Sequence, residues 1–164
     1  MKRLKNFLET INPKDEEVLN SLGILYMHKQ LFSSASAIFK ELIDINETAT
    51  YLSNLALSYY QQSDLDAAKE TYQRAILLDP NRAARYVSLS QVYRSLEKPL
   101  LAIISVNKAL DFENTNVDYL ILKTELLFEI NKFDEAKDVV RAILELDPNH
   151  EEAKKLLRNY KSKG

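Results

Sequence analysis

The 164 residues contain no cysteine, only 2 glycines and 4 prolines, and two histidines, His28 and His150. Without cysteine there is no disulfide, no thiolate nucleophile and no thiolate metal ligand; a reducing compartment is allowed but not required. Two glycines cannot build a phosphate-cradling loop. The histidines lie far apart in the chain, and a metal site needs several convergent ligands, so each reads as a surface residue. Scarcity of Gly and Pro removes the main helix breakers and favours a mostly helical chain. Long apolar runs are also missing. The longest, Leu100 to Val106, is interrupted by Ser105 and is far too short to span a bilayer. The opening MKRLKNFLETINP puts charged and polar residues where a signal peptide needs an apolar core. With neither signal nor span, a cytoplasmic location is expected. Charge of one sign is not in excess: 22 basic and 24 acidic residues leave −2. That balance exerts no general pull on nucleic acid or an anionic membrane.

What is present is 46% hydrophobic and 28% charged residues, a globular composition. The apolar residues recur at helical spacing. The stretch 49–82 shows the pattern best. Leu52, Leu55, Ala56 and Tyr59 share one helix face, Gln62, Ser63 and Asp64 make a turn, and Leu65, Ala68, Tyr72, Ala75, Ile76 and Leu78 carry a second helix. Asp79-Pro80 stops it, because a residue before proline avoids the helical region. A shift of 34 brings the pattern back as Tyr86, Leu89, Ser90, Tyr93, then Ala102, Val106, Ala109, Leu110 and Phe112, with Pro99 in a tolerated first-turn position. Another 34 gives Leu120, Thr124, Leu127, then Phe133, Ala136, Val140, Ile143, Leu144, Leu146 and Asp147-Pro148. The first pair fits with one residue fewer. Asp15 caps its first helix, and Ser33-Ser34 is expected to mark the turn before a second helix over 34–45.

The segments that result are a lone N-terminal helix over 1–13 (Leu4, Phe7, Leu8, Ile11), repeats over 16–48, 49–82, 83–116 and 117–150, and a closing helix and tail over 151–164. The closing helix carries Ala153, Leu156, Leu157 and Tyr160, with Asn149 and Glu152 placed as a capping box. Its outer face is basic, as the uncovered end of a stacked array requires. Acid pairs such as Asp134-Glu135 and Glu151-Glu152 sit at helix starts, where the macrodipole favours them, rather than in an acid–base site.

A 34-residue period of helix-turn-helix content resembles the tetratricopeptide repeat. The residues that carry the resemblance are Leu52, Leu55, Ala56, Tyr59, Ala68, Tyr72, Ala75 and Pro80, and again Leu19, Leu22, Gly23, Tyr26, Ala35, Phe39 and Leu42. Small residues at Gly23, Ala56, Ser90 and Thr124, and at Ala35, Ala68, Ala102 and Ala136, fall where paired helices come closest. Enlarging one should cost about 1–3 kcal/mol. Lys123 and Ile143 depart from the family's preferred Leu and Ala, and Glu47 and Asn114 from its proline. The resemblance implies an all-α fold, a right-handed α-solenoid of stacked pairs whose first helices line a concave groove. It implies no enzyme activity and no cofactor.

Groove-facing positions carried over from the family are Asn20, Ile24, Met27 and His28; Ser53, Asn54, Leu57, Tyr60 and Gln61; Val87, Gln91 and Arg94; Ile121, Glu125, Phe128 and Glu129. Ile24, Met27, Leu57, Tyr60, Val87, Ile121 and Phe128 are apolar yet unused by the stripe facing the partner helix. They ask for a second cover. Neighbouring helices provide one reading. A docked peptide or helix, anchored by Tyr60, Phe128 and Met27, provides the other. The family's carboxylate clamp does not fit: its positions hold Asn20, Ile24, Asn54, Ala84 and Ser88, of which only Asn54 matches. Asp118, Glu125, Glu129 and Glu152 make the C-terminal end acidic, so the expected partner is a protein or peptide with apolar anchors and a basic portion toward that end. Two alternatives stay open: self-association through the terminal helices, with Leu4, Phe7 and Leu8 as the contact, or service as the targeting module of a larger protein.

Overall fold

The computed structural model describes residues 15–161. The chain divides into two compact units, Met1–Pro80 and Asn81–Gly164. Every regular element among the described residues is an α-helix. The first unit holds α1 (Glu16–His28), α2 (Phe32–Ile45), α3 (Ala49–Gln61) and α4 (Leu65–Leu78); the second holds α5 (Ala83–Ser95), α6 (Pro99–Phe112), α7 (Val117–Glu129), α8 (Phe133–Leu146) and α9 (Glu151–Lys161). The expected helix over 1–13, the final three residues and the side chain of Tyr160 lie outside the described residues.

Local chemistry sets these boundaries. Asp15 Oδ1 accepts from the backbone N–H of Glu17 at 2.9 Å, and Thr48, Asp64 and Asn116 each accept from the third residue beyond. Such a cap contributes about 1 kcal/mol. Pro99 opens α6 at a position where its missing N–H costs nothing. At the other end, Asp79 and Asp147 are extended before their prolines and terminate α4 and α8.

Each helical pair is joined by the same turn. Gln30, Ser63, Glu97 and Asn131 all have positive φ, from 56° to 63°. The two crossed bonds of a Schellman motif surround each: Gln30 N–H donates to the Met27 carbonyl and Leu31 N–H to the Tyr26 carbonyl, both at 2.9 Å, and the pattern recurs at the other three turns. This corrects the expected start of α2. The turn falls at Lys29–Leu31 and the helix begins at Phe32, which puts Ser33 and Ser34 inside its first turn. Ser33 is thereby free to donate its hydroxyl to Gln62 Oε1 at 2.9 Å, while Gln62 Nε2 donates to the Ser58 carbonyl at 2.9 Å. None of the four left-handed residues is glycine, although a side chain is strained there. Gln30→Gly and Glu97→Gly should each raise stability by about 0.5–1 kcal/mol, and Asn131→Gly by less, because asparagine tolerates this region. Urea midpoints of the three variants check the order.

A second correction concerns α9. His150, not Asn149, caps it: the His150 carbonyl accepts from Lys154 N–H, and its Nδ1 accepts from Ala153 N–H at 3.2 Å. Asn149 N–H instead donates to Asp147 Oδ1 in a local turn.

The cores form where small residues meet large ones. In the first unit Phe39 is fully buried with Leu19, Ala35, Leu42 and Leu55, so one ring joins two repeats. Gly23 faces it, and a Cβ there would lie 2.8 Å from Phe39 Cζ. In the second unit Ala102 and Val106 pack with Leu126, and Leu120, Val140 and Ile143 pack with Ala153 of α9. Ala35, Ala68, Ala102 and Ala136 have no exposed surface at all. Ser90, also fully buried, donates its hydroxyl to the Ala102 carbonyl at 2.9 Å, which ties α5 to α6.

Candidate functional site

Ile24, Met27 and His28 stand at i, i+3, i+4 on α1, and Asn54, Leu57 and Gln61 at i, i+3, i+7 on α3. Each set therefore lies along one helix face. The two faces meet around one cavity of about 610 Å³, to which Gln30 and Phe32 also contribute. Its apolar lining comes from Ile24, Met27, Leu57 and Phe32. Its polar groups are side-chain amides and one imidazole, and it contains no Lys, Arg, Asp or Glu. Gln30 and Phe32 were missed in the sequence because α2 was expected to start two residues later. Comparing Phe32 with Leu65 and Phe133 across the repeat was the signal available.

The remaining first-unit positions are less open. Ser53 is half-buried and its hydroxyl donates to the Ala49 carbonyl at 2.6 Å. Tyr60 is half-buried and is not among the residues lining the cavity. Asn20 is half-buried, and its Oδ1 is shielded without a hydrogen-bond partner among the described residues.

In the second unit a charge cluster dominates. Arg94 of α5 donates from Nε to Glu129 Oε1 at 2.7 Å and from Nη1 to Glu125 Oε2 at 2.8 Å, both on α7. Burial works against the guanidinium charge, but the hydrogen bonds and charges of the two glutamates outweigh it and hold the Arg94 pKa above its ordinary value. All three side chains remain more than a third exposed, so solvent screening leaves each pair only about 0–1 kcal/mol. The two acids read as an open acidic surface are thus engaged by a cation already present in the chain.

Val87 is half-buried and Gln91 exposed. Phe128 is half-buried against Phe133, with ring centroids 5.9 Å apart. Ile121 is a correction. It belongs to the core with Leu120, Val140 and Ile143 rather than to a surface open to a partner, because α8 and α9 supply the second cover that its apolar side chain needs.

No group of three or more His, Cys, Asp or Glu residues that could hold a metal occurs among the described residues. No helix among them is long and apolar enough to cross a membrane.

Comparison with known proteins agrees with this architecture. Sequence profiles of the tetratricopeptide repeat match residues 49–82 and 117–150. The BBSome complex member BBS4 of Bos taurus is 24% identical over 142 residues, which cover 84% of this chain and 27% of that protein. The crystal structure of YrrB, a TPR protein with an unusual peptide-binding site, aligns with a TM-score of 0.77 at 19% identity, over 97% of this chain and 82% of that one. The first TPR of Spaghetti (RPAP3), bound to the HSP90 peptide SRMEEVD, aligns with a TM-score of 0.62 at 25% identity, over 71% of this chain and 94% of that one. The chain spans between 13% and 27% of the length of the curated relatives it matches. Their shared fold is typical of protein–protein interaction and is in general a non-enzymatic module. With helical hairpins of one design along both units and profile matches to two of them, the chain carries tetratricopeptide repeats at 49–82 and 117–150 and shares the fold of solved proteins built from that repeat.

Proposed function

We propose that this chain is a non-enzymatic interaction module whose first unit takes a large uncharged side chain of a partner peptide or helix into the cavity between α1 and α3. The observation that carries this reading is the composition of that cavity: the apolar side chains of Ile24, Met27, Leu57 and Phe32 together with the amides of Gln30, Asn54 and Gln61. Such a surface suits an apolar anchor, and the amides suit the peptide backbone on either side of it. A cavity lined by no Lys or Arg offers a terminal carboxylate no ammonium or guanidinium partner, so the HSP90 peptide seen on the Spaghetti (RPAP3) domain is not the expected ligand type. A basic segment of the ligand would have to take Glu125 and Glu129 from Arg94. The apolar anchor, rather than a charge pair, therefore carries the affinity.

The test is selection of a random peptide library on the full chain, followed by fluorescence anisotropy of the recovered peptides. The peptides should share a Leu, Met or Phe. Leu57→Asp should weaken them about tenfold or more, the loss of a buried apolar contact worth about 1.4 kcal/mol or above. Glu129→Lys should change affinity far less. Binding that is indifferent to Leu57→Asp would overturn the reading.

A further inference from the structure

Second helices of the repeats carry only polar or small residues at their second, third and sixth positions: Ser33, Ser34 and Ala37 in α2, Asp66, Ala67 and Glu70 in α4, Asp134, Glu135 and Asp138 in α8. In α6 the same three positions are Leu100, Leu101 and Ile104, which are 62%, 41% and 59% exposed. No packing need of the repeat explains them, since the inward face of α6 is already supplied by Ala102, Val106 and Ala109. Large apolar side chains left in water at adjoining positions mark an interaction surface.

Leu100 and Leu101 of this ridge also line a hollow of about 570 Å³, together with Pro99, Ile130, Glu97, Lys98 and Lys132. A ridge and a hollow on one patch make that patch self-complementary, which is what a two-fold interface between identical chains demands. We infer that α6 is a self-association surface that pairs with α6 of a second copy, antiparallel, about an axis passing between Ala102 and Ile103. In that register Leu101 of one copy lies opposite Ile104 of the other, so Ile104 is directed at the hollow beside Leu101. The same register brings the turn before α6, with Glu97 and the N-cap Lys98, alongside Lys108 and Asn107 of the other copy, twice, so Glu97 has a cation within its reach across the interface. Within one chain Lys108 pairs with the exposed Asp111 at 3.1 Å, a contact screened by solvent and open to exchange. The antiparallel arrangement also opposes the two helix dipoles favourably. The apolar area is small beside the roughly 800 Å² per partner of a standard interface, so the dimer is a weak one that forms as concentration rises. This surface is separate from the α1–α3 cavity, and the inference does not depend on what that cavity binds.

Sedimentation equilibrium of the full chain over about two decades of concentration tests it, because dimerisation follows mass action. The weight-average mass should climb from 18.9 kDa toward twice that value. Leu101→Ser with Ile104→Ser should hold it at the monomer mass, with an unchanged circular dichroism spectrum. Glu97→Lys and Lys108→Glu should each weaken the dimer about tenfold, and the two together should restore it, since each new charge then meets its opposite. The charge exchange decides the matter even if the serine variant folds poorly. A wild-type mass constant at 18.9 kDa would overturn the inference, whether or not some other protein covers this face. A dimer indifferent to both sets of substitutions would overturn it equally.

Discussion

Replacing Phe39 with alanine is expected to destabilise the protein by about 3–5 kcal/mol, the range for deleting a buried aromatic ring. The ring has no exposed surface, and its neighbours are Leu19, Ala35, Leu42 and Leu55, which come from α1, α2 and α3. They cannot all close the void, because each already holds a place in its own helix pair. The position opposite is diagnostic. Gly23 lies on the helix that crosses Phe39, and a methyl group there would sit 2.8 Å from Cζ and 3.0 Å from Cε1. Gly23→Val should therefore cost about 1–3 kcal/mol through overpacking. Gly23→Ala gains about 1 kcal/mol of helix propensity, which offsets much of its own clash. Gly23→Ala combined with Phe39→Leu should be more stable than the two single effects predict, since the smaller side chain makes room for the methyl. Urea unfolding with an unchanged slope is the measurement. Strict additivity would show that the glycine and the ring do not share one space.

Leu126→Ala carries the second large expectation, a loss of about 2–5 kcal/mol. Leu126 is fully buried and packs on Ala102 and Val106 of the preceding repeat, with Tyr93, Ile103, Tyr119 and Leu122 around it. It is thus a contact between repeats and not within one hairpin. The corresponding residues of the two preceding repeats, Ser58 and Val92, are also without exposed surface. In the first unit the small Ser58 is accompanied by a polar clamp, in which Gln62 reaches back to Ser33 and to the Phe32 carbonyl. In the second unit Leu126 makes the corresponding junction with apolar volume. Leu77→Ala is the control: that side chain is 84% exposed, and its loss should change stability by no more than about 0.5 kcal/mol. A Leu126→Ala variant as stable as this control would mean that the junction between repeats contributes little.

The helical period, the small residues at Gly23, Ala56, Ser90 and Thr124, and the Asp-Pro stops were legible from the chain alone. Each follows from steric or backbone rules acting within about one helical hairpin. The turn before α2 was misread because Ser33 and Ser34 favour turns by composition, whereas the chain closes its turns with two backbone bonds and a left-handed residue, which is Gln, Ser, Glu or Asn in the four turns. His150 was passed over as a cap because asparagine is the commoner cap and stands beside it.

The candidate site divided along the same line. Ile24, Met27, His28, Asn54, Leu57 and Gln61 were carried over from the tetratricopeptide resemblance, and they line one cavity. Ile121 came from the same resemblance, yet α8 and α9 cover it. Glu125 and Glu129 read as free acids until Arg94, on a helix some thirty residues earlier, met both. The amino-acid sequence by itself determined which residues share a helix face and where hairpins begin to recur, because those relations depend on backbone geometry over a few residues. Only the tertiary structure decided which faces are covered and which charges are neutralised, because both depend on the shape and charge of a neighbouring repeat that no local pattern encodes.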